Sequence, residues 1–172
     1  DLNDTGRGQA AQNGRTLKEL GLDLASLDFV ASPLKRTSET MEIVRDNAGL
    51  ERSGYRTDDR LKEIHFGHWQ GHYWPEVPSV DPEGHAARTA DPFNWRPDGG
   101  ESYADLTKRC ATWFDQLEDD TVCVSHGGVS RVLRGHIGGH EPDAITELRV
   151  PQDRILVFRH GPTGITAEWI DR

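Results

Sequence analysis

The sequence is short of cysteine, of positive charge and of long apolar runs. Only Cys110 and Cys123 occur among 172 residues. Their spacing matches no zinc pattern, and two thiols make a weak case for a disulfide, so a reducing, cytoplasmic setting is expected. No run approaches the roughly 18 apolar residues of a membrane-spanning helix, and no signal peptide is expected at the start. Lys and Arg number 20 against 29 Asp and Glu, a net charge of −9. That balance argues against a general nucleic-acid or membrane-surface binder, because counterion release needs clustered cations. An acidic chain can still hold a small anion through a few local arginines.

What is present reads as one domain over 1–172, long enough for a core of its own. "TGRGQAAQNGRTLKEL" (Thr5 to Leu20) has helical spacing and stops at Gly21. "LDFVAS" (Leu27 to Ser32) reads as a buried strand, and Ser32-Pro33 as the cap and first position of a following helix. "YRTDDRLKEIHFGHWQGH" reads as a strand running into a loop. Residues 72–100 are rich in Pro, Gly, His and Asp, and are expected to form an irregular, lid-like insertion with short helices. A helix through Tyr103, Leu106, Cys110 and Trp113 follows, then a strand "TVCVS", a helix from near Val129, and two C-terminal strands around a Gly-Pro-Thr-Gly turn. Strands alternating with helices predict a three-layer α/β/α sandwich on a mostly parallel sheet.

In such folds, sites gather where strands end and helices begin. "VCVSHGGVSRVL" has that form: His126 follows an apolar strand, Gly127 and Gly128 permit close backbone approach, and the next helix points N–H groups at an anion. An ordinary strand–turn–helix with a satisfied histidine explains the segment equally well. In "VASPLKRTSETMEIV", Arg36 falls in a first helical turn, where the helix dipole disfavours a cation. An anion ligand would account for it, and so would a surface position. Glu63, in "RLKEIHFGHWQG", could serve as a general acid beside such a site or be a solvated strand-end carboxylate.

Taken together, "LNDTGRGQA", "SPLKRTSET", "LKEIHFGHWQG", "GGES" and "VSHGGVSRVL" resemble the histidine phosphatase superfamily, the phosphoglycerate mutase-like family, in order and approximate spacing from Leu2 to about Leu133. The resemblance implies phosphate binding by Arg36 and Gly127, proton donation by Glu63, and the role of second active-site histidine for His126. It places Glu101 and Ser102 in the pocket lining. Trp69, from the aromatic-rich stretch nearby, is a further lining candidate, although core packing explains a tryptophan as well. The implied reaction passes through a phosphohistidine, with no metal and no cofactor.

That family carries its nucleophile in an Arg-His-Gly motif on a first strand, upstream of the segment matching "LNDTG". The chain opens on "DLNDTGRGQA", without an initiator Met, so the nucleophile is expected upstream of residue 1. Two other readings stay open: a circular permutation in which Arg159, His160 and Gly161 supply it, and a domain that binds phosphate esters without turning them over. The alternation in "ITAEWI" favours a closing hairpin for Arg159 to Gly161 over the permutation. The expected activity is hydrolysis of a small phosphorylated metabolite, with a cofactor-dependent mutase as the enzymatic alternative. A homodimer through an edge strand is also open from sequence.

Overall fold

The computed structural model describes residues 2–170, and these divide into two compact units. The first comprises the described residues up to Lys62, Gln116–His126 and those from Val150 onward; the second comprises Glu63–Asp115 and Gly127–Arg149. No helix among the described residues is long and apolar enough to cross a membrane.

All the described strands lie in the first unit. Helix α1 (Asp4–Glu19) is capped by Asn3, whose side chain accepts the Gly6 N–H at 2.9 Å. Strand β1 (Asp28–Ala31) buries Phe29, Val30 and Ala31 in succession, as a strand covered on both faces must. Helix α2 (Lys35–Ala48) ends at Gly49, whose φ of 85° supplies the left-handed turn that closes it. The short β2 (Arg56–Thr57) and β3 (Thr121–Val124) flank β1 in the order β2-β1-β3, both parallel to it. Strands β4 (Ile155–Gly161) and β5 (Gly164–Ile170) form a separate antiparallel pair.

The core of this unit joins Ala10 and Leu17 of α1 to Phe29, Ala31, Met41, Val44 and Ala48. The two helices meet at Gly14, where an added Cβ would collide with the Val44 carbonyl oxygen and lie 2.7 Å from Asn47 Cβ. Arg45, 7 % exposed, crosses the end of this core, with its guanidinium 4.4 Å from the Phe29 ring centre and its Nε donating to the Glu51 carbonyl at 2.7 Å.

The second unit is helical: α3 (Val77–Val80), α4 (Pro82–Ala90), α5 (Tyr103–Phe114), α6 (Gly127–Gly138) and α7 (Pro142–Glu147). Leu106, Cys110 and Trp113 of α5, with Val129, Val132 and Leu133 of α6, are among its buried residues. Burial pushes the Cys110 thiol up to about 12, so it acts as a small apolar filler.

The mixed α/β character and the parallel sheet agree with the sequence reading, as do the short helices within 72–100 and the closing hairpin. Some boundaries move. Helix α2 starts at Lys35 rather than Pro33, with Leu34 as an extended cap residue whose apolar side chain makes no cap bond and whose N–H donates to Ser32 Oγ at 3.4 Å. Helix α6 starts at Gly127 rather than near Val129. Helix α7 was not expected; its six residues are too few to show a periodicity.

Gly14→Val is expected to lower stability by about 1–3 kcal/mol, the usual cost of forcing volume into a packed contact. Gly8, with nothing within 4 Å of an added Cβ, provides the control: Gly8→Ala is expected to be neutral or to stabilise by up to about 1 kcal/mol through helix propensity. Urea unfolding of both variants checks this, and an unchanged midpoint for Gly14→Val contradicts it.

Candidate active site

The parallel register sets the surroundings of His126. Ala31 pairs with Val124, and the ladder runs one step further as the Ser32 N–H donates to the Val124 carbonyl at 3.0 Å. Two strands ending together leave Ser32 and, two residues past Val124, His126 at the same edge. His126 is 7 % exposed. Its Nε2 lies 2.8 Å from Ser32 Oγ, and the Arg36 Nε–H donates to its Nδ1 at 3.2 Å. An acceptor Nδ1 places the ring proton of a neutral imidazole on Nε2, facing the serine. Arg36 occupies the first turn of α2, as expected, and is exposed. The turn that carries it is tied down by Thr37, whose hydroxyl lies 2.9 Å from the Ser32 carbonyl and 2.6 Å from that of Leu34.

The second unit has its own arrangement at the start of α6. Glu63 places its carboxylate against the first turn: the Gly128 N–H donates to Oε1 at 3.1 Å and to Oε2 at 3.3 Å, and the Ile64 N–H donates to Oε1 at 3.0 Å. The sequence reading left these helix N–H groups for a ligand. The chain's own carboxylate takes the one at Gly128, for the reason that attracts any anion to a helix N-terminus. Glycine at 128 leaves room for this contact: an added Cβ would displace Glu63 Oε1 and lie 3.2 Å from Leu106 Cδ2. Gly127 is less confined, an added Cβ there lying 3.6 Å from Arg131 Nη1 and 4.0 Å from Glu63 Oε2.

The "GGES" residues act on Glu63 through its backbone. Glu101 forms a two-pronged pair with Arg109, at 2.8 Å from Nε and 2.9 Å from Nη2. Glu101 Oε2 accepts the His65 N–H at 3.1 Å, and Arg109 Nη2 donates to the Glu63 carbonyl at 3.3 Å. Burial alone would raise the Glu101 carboxyl, but the Arg109 guanidinium and the His65 N–H outweigh it and hold it below the usual range. Ser102 caps α5, accepting the Asp105 N–H at 3.0 Å while Asp105 accepts the Ser102 N–H at 3.0 Å. Both residues thus have firm local partners.

Trp69 is 3 % exposed; it stacks on Trp95 with ring centres 4.5 Å apart and donates from Nε1 to Asp81 at 2.9 Å. It packs inside an aromatic cluster instead of presenting an open face. Asp81 also accepts from the Gly84 N–H at 2.9 Å, capping α4.

Arg159, His160 and Gly161 lie at the end of β4, where His160 pairs with Ile165 across a two-residue turn and Arg159 bonds Glu168 at 2.8 Å. This is the hairpin that the alternation predicted. Among the described residues, no group of three or more His, Cys, Asp and Glu side chains gathers as a metal ion would require. Ser32 is the residue that sequence reading passed over, taken there as a helix cap. Its signal was its place one residue beyond a buried strand, beside a second strand ending in Ser-His-Gly-Gly.

A carboxylate held below its usual value stabilises the fold fully above about pH 4.3, the unfolded Glu value, and loses that contribution as pH falls through the lower folded value. Glu101→Gln is therefore expected to flatten the acid-side fall in stability between about pH 5 and 3. Urea midpoints across that range test it; an acid limb as steep as the wild type's contradicts the pairing.

The histidine phosphatase superfamily (branch 1) matches residues 1–171. Over 140 residues the chain is 35% identical to phosphoglycerate mutase-like protein 4 of Arabidopsis thaliana, covering 77% of this chain and 58% of that protein. Over 153 residues it is 32% identical to glucosyl-3-phosphoglycerate phosphatase of Mycolicibacterium vanbaalenii, covering 81% and 64%. The chain thus spans about three fifths of the length of these two relatives. The crystal structure of the alpha-ribazole phosphatase from Shigella flexneri superposes with a TM-score of 0.82 at 22% identity, covering 100% of this chain and 84% of that one, which establishes a shared fold. The strand-end histidine and the match along nearly its whole length place this chain in the histidine phosphatase superfamily, branch 1.

Proposed function

We propose that this chain carries most of the active site of a cytoplasmic, metal-independent phosphomonoester hydrolase that works through a phosphohistidine on small phosphorylated metabolites. The observation that carries the reading is His126, buried at a strand–helix junction between Ser32 Oγ and Arg36 Nε. A histidine held this firmly, with a guanidinium on one nitrogen, suits the binding of phosphoryl oxygens. A relative at 32% identity named as a phosphatase supports hydrolysis over transfer.

In this reading the nucleophilic histidine lies in sequence upstream of Asp1. Strand β3 is an end strand of the parallel sheet among the described residues, which leaves an edge where a further strand could pair. The imidazole nitrogen attacks phosphorus, the N–P bond forming as the P–O bond to the alcohol breaks. By the family resemblance, Arg36, His126 and the Gly127 backbone take the part of neutralising the equatorial oxygens, and Glu63 that of giving its proton to the departing oxygen. Water then attacks phosphorus, its proton passing to Glu63 as the N–P bond breaks, which releases phosphate and regenerates both groups. The Glu101–Arg109 pair is a positioning device, holding the backbone on either side of Glu63.

The test is hydrolysis by the full-length protein in the presence of a chelator. Glu63→Gln is expected to lose about 10²–10⁴-fold in kcat on an alkyl phosphate. It should lose far less on 4-nitrophenyl phosphate, whose leaving group needs no proton. His126→Ala is expected to lose about 10²-fold or more on both substrates. Undiminished activity in His126→Ala, or full dependence on a metal, contradicts the reading. Phosphoryl transfer to a second hydroxyl, or binding without turnover, would replace it with a mutase or a non-catalytic domain.

A further inference from the structure

The proposed reaction asks Arg36 and His126 to meet phosphoryl oxygens, yet in the free protein they meet each other. The Arg36 Nε–H donates to His126 Nδ1 at 3.2 Å, so Nδ1 offers a lone pair and the ring proton stands on Nε2, 2.8 Å from Ser32 Oγ. A lone pair repels an anion. For His126 to hold a phosphoryl oxygen through Nδ1, that nitrogen has to gain a proton and Arg36 has to release it.

The two sides of the ring differ in freedom. Arg36 is exposed, on the first turn of α2, and has room to turn toward a ligand. Ser32 is fully buried. Its N–H is tied to the Val124 carbonyl at 3.0 Å, and its carbonyl lies 2.9 Å from the Thr37 hydroxyl. Its Oγ also accepts the Leu34 N–H at 3.4 Å. Nε2 therefore keeps its partner while Nδ1 can change its own. That partner is a neutral hydroxyl. A carboxylate in its place would favour the charged imidazole with or without a ligand. A hydroxyl accepts Nε2–H from either form, and leaves the charge on the ring to be set by what stands at Nδ1.

We propose that Ser32 is a positioning residue that holds the Nε2 proton of His126 in the core, and that a phosphate monoester takes the place of Arg36 at Nδ1. The arriving monoanion gives its proton to Nδ1. The Arg36 hydrogen bond to that nitrogen breaks, and the guanidinium turns to the same anion. Neutral imidazole becomes imidazolium as the ester goes from monoanion to dianion, and no bond to phosphorus changes. Both ring N–H groups then have acceptors, the dianion at Nδ1 and Ser32 Oγ at Nε2. The proposal rests on the phosphomonoesterase reading and deepens it: the substrate itself creates the charged form of His126 that binds it.

The experiment is nitrogen-15 NMR of the full-length protein labelled in histidine, with inorganic phosphate as the probe and His126→Ala identifying the signal. Without phosphate, His126 is expected to be neutral with its proton on Nε2. At saturating phosphate it is expected to carry a proton on each nitrogen. Ser32→Ala and Ser32→Cys, the second close in size but a weak acceptor, are expected to need about 10-fold or more phosphate to reach that state. Both are expected to lose about 10–100-fold in kcat/KM. Ser32→Thr, which keeps the hydroxyl, is expected to retain most of both properties. Circular dichroism confirms folding, and the cysteine variant decides the matter where another variant unfolds. A doubly protonated ring in the free protein, a neutral ring at saturating phosphate, or a cysteine variant equal to the wild type overturns the proposal. If no ester is hydrolysed at all, it is the phosphatase reading that fails, and the spectra with phosphate decide this one.

Discussion

The parallel register between β1 and β3 is the constraint on which the setting of His126 depends. Pairing Ala31 with Val124 makes the two strands end together. Ser32 then extends the ladder through its backbone and leaves its hydroxyl for His126. A slip of one residue would turn every side chain to the opposite face and separate serine from histidine. Phe29, Val30 and Ala31 are buried in succession, which anchors β1 in the core on both of its faces. The Gly14 contact between α1 and α2 belongs to the same logic, since it packs Met41 and Val44 of α2 into the core that β1 also lines. The first turn of α2 is what delivers Arg36 to the imidazole.

The second unit solves a different problem, holding a carboxylate in one orientation. Glu63 is fixed at its head by the Gly128 N–H and at its backbone by Arg109, which is itself held by Glu101. Glycine at 128 is the steric condition for the first of these contacts. The motif "GGES" therefore contributes through Glu101, as a brace one step from Glu63, and through Ser102, as the cap that starts α5. An acid–base group needs a fixed direction more than it needs many partners, because proton transfer falls off steeply with misalignment.

Much of this was legible in the sequence. The strand–helix junctions at Ser32 and His126, the placement of Arg36 in a first helical turn and the closing hairpin all follow from local patterns: a short apolar run, a glycine pair, alternation about a turn. What stayed hidden depends on contacts between distant segments. Nothing local to Ser32 distinguishes a helix cap from a histidine partner, and nothing local to Glu63 says that its carboxylate will occupy the Gly128 N–H. Trp69 misled for a related reason: an aromatic beside a glycine-rich loop has the same local signature whether it faces a pocket or, as here, stacks on Trp95 behind Asp81.

The central claim is that His126 assists a phosphohistidine that forms on another residue. Rapid-quench mass spectrometry of the full-length protein mixed with 4-nitrophenyl phosphate tests it most directly. The account predicts a single acid-labile phosphoryl adduct during turnover, mapped to a histidine upstream of Asp1 and absent from His126. An adduct on His126 or His160, or turnover with no adduct at all, would contradict it.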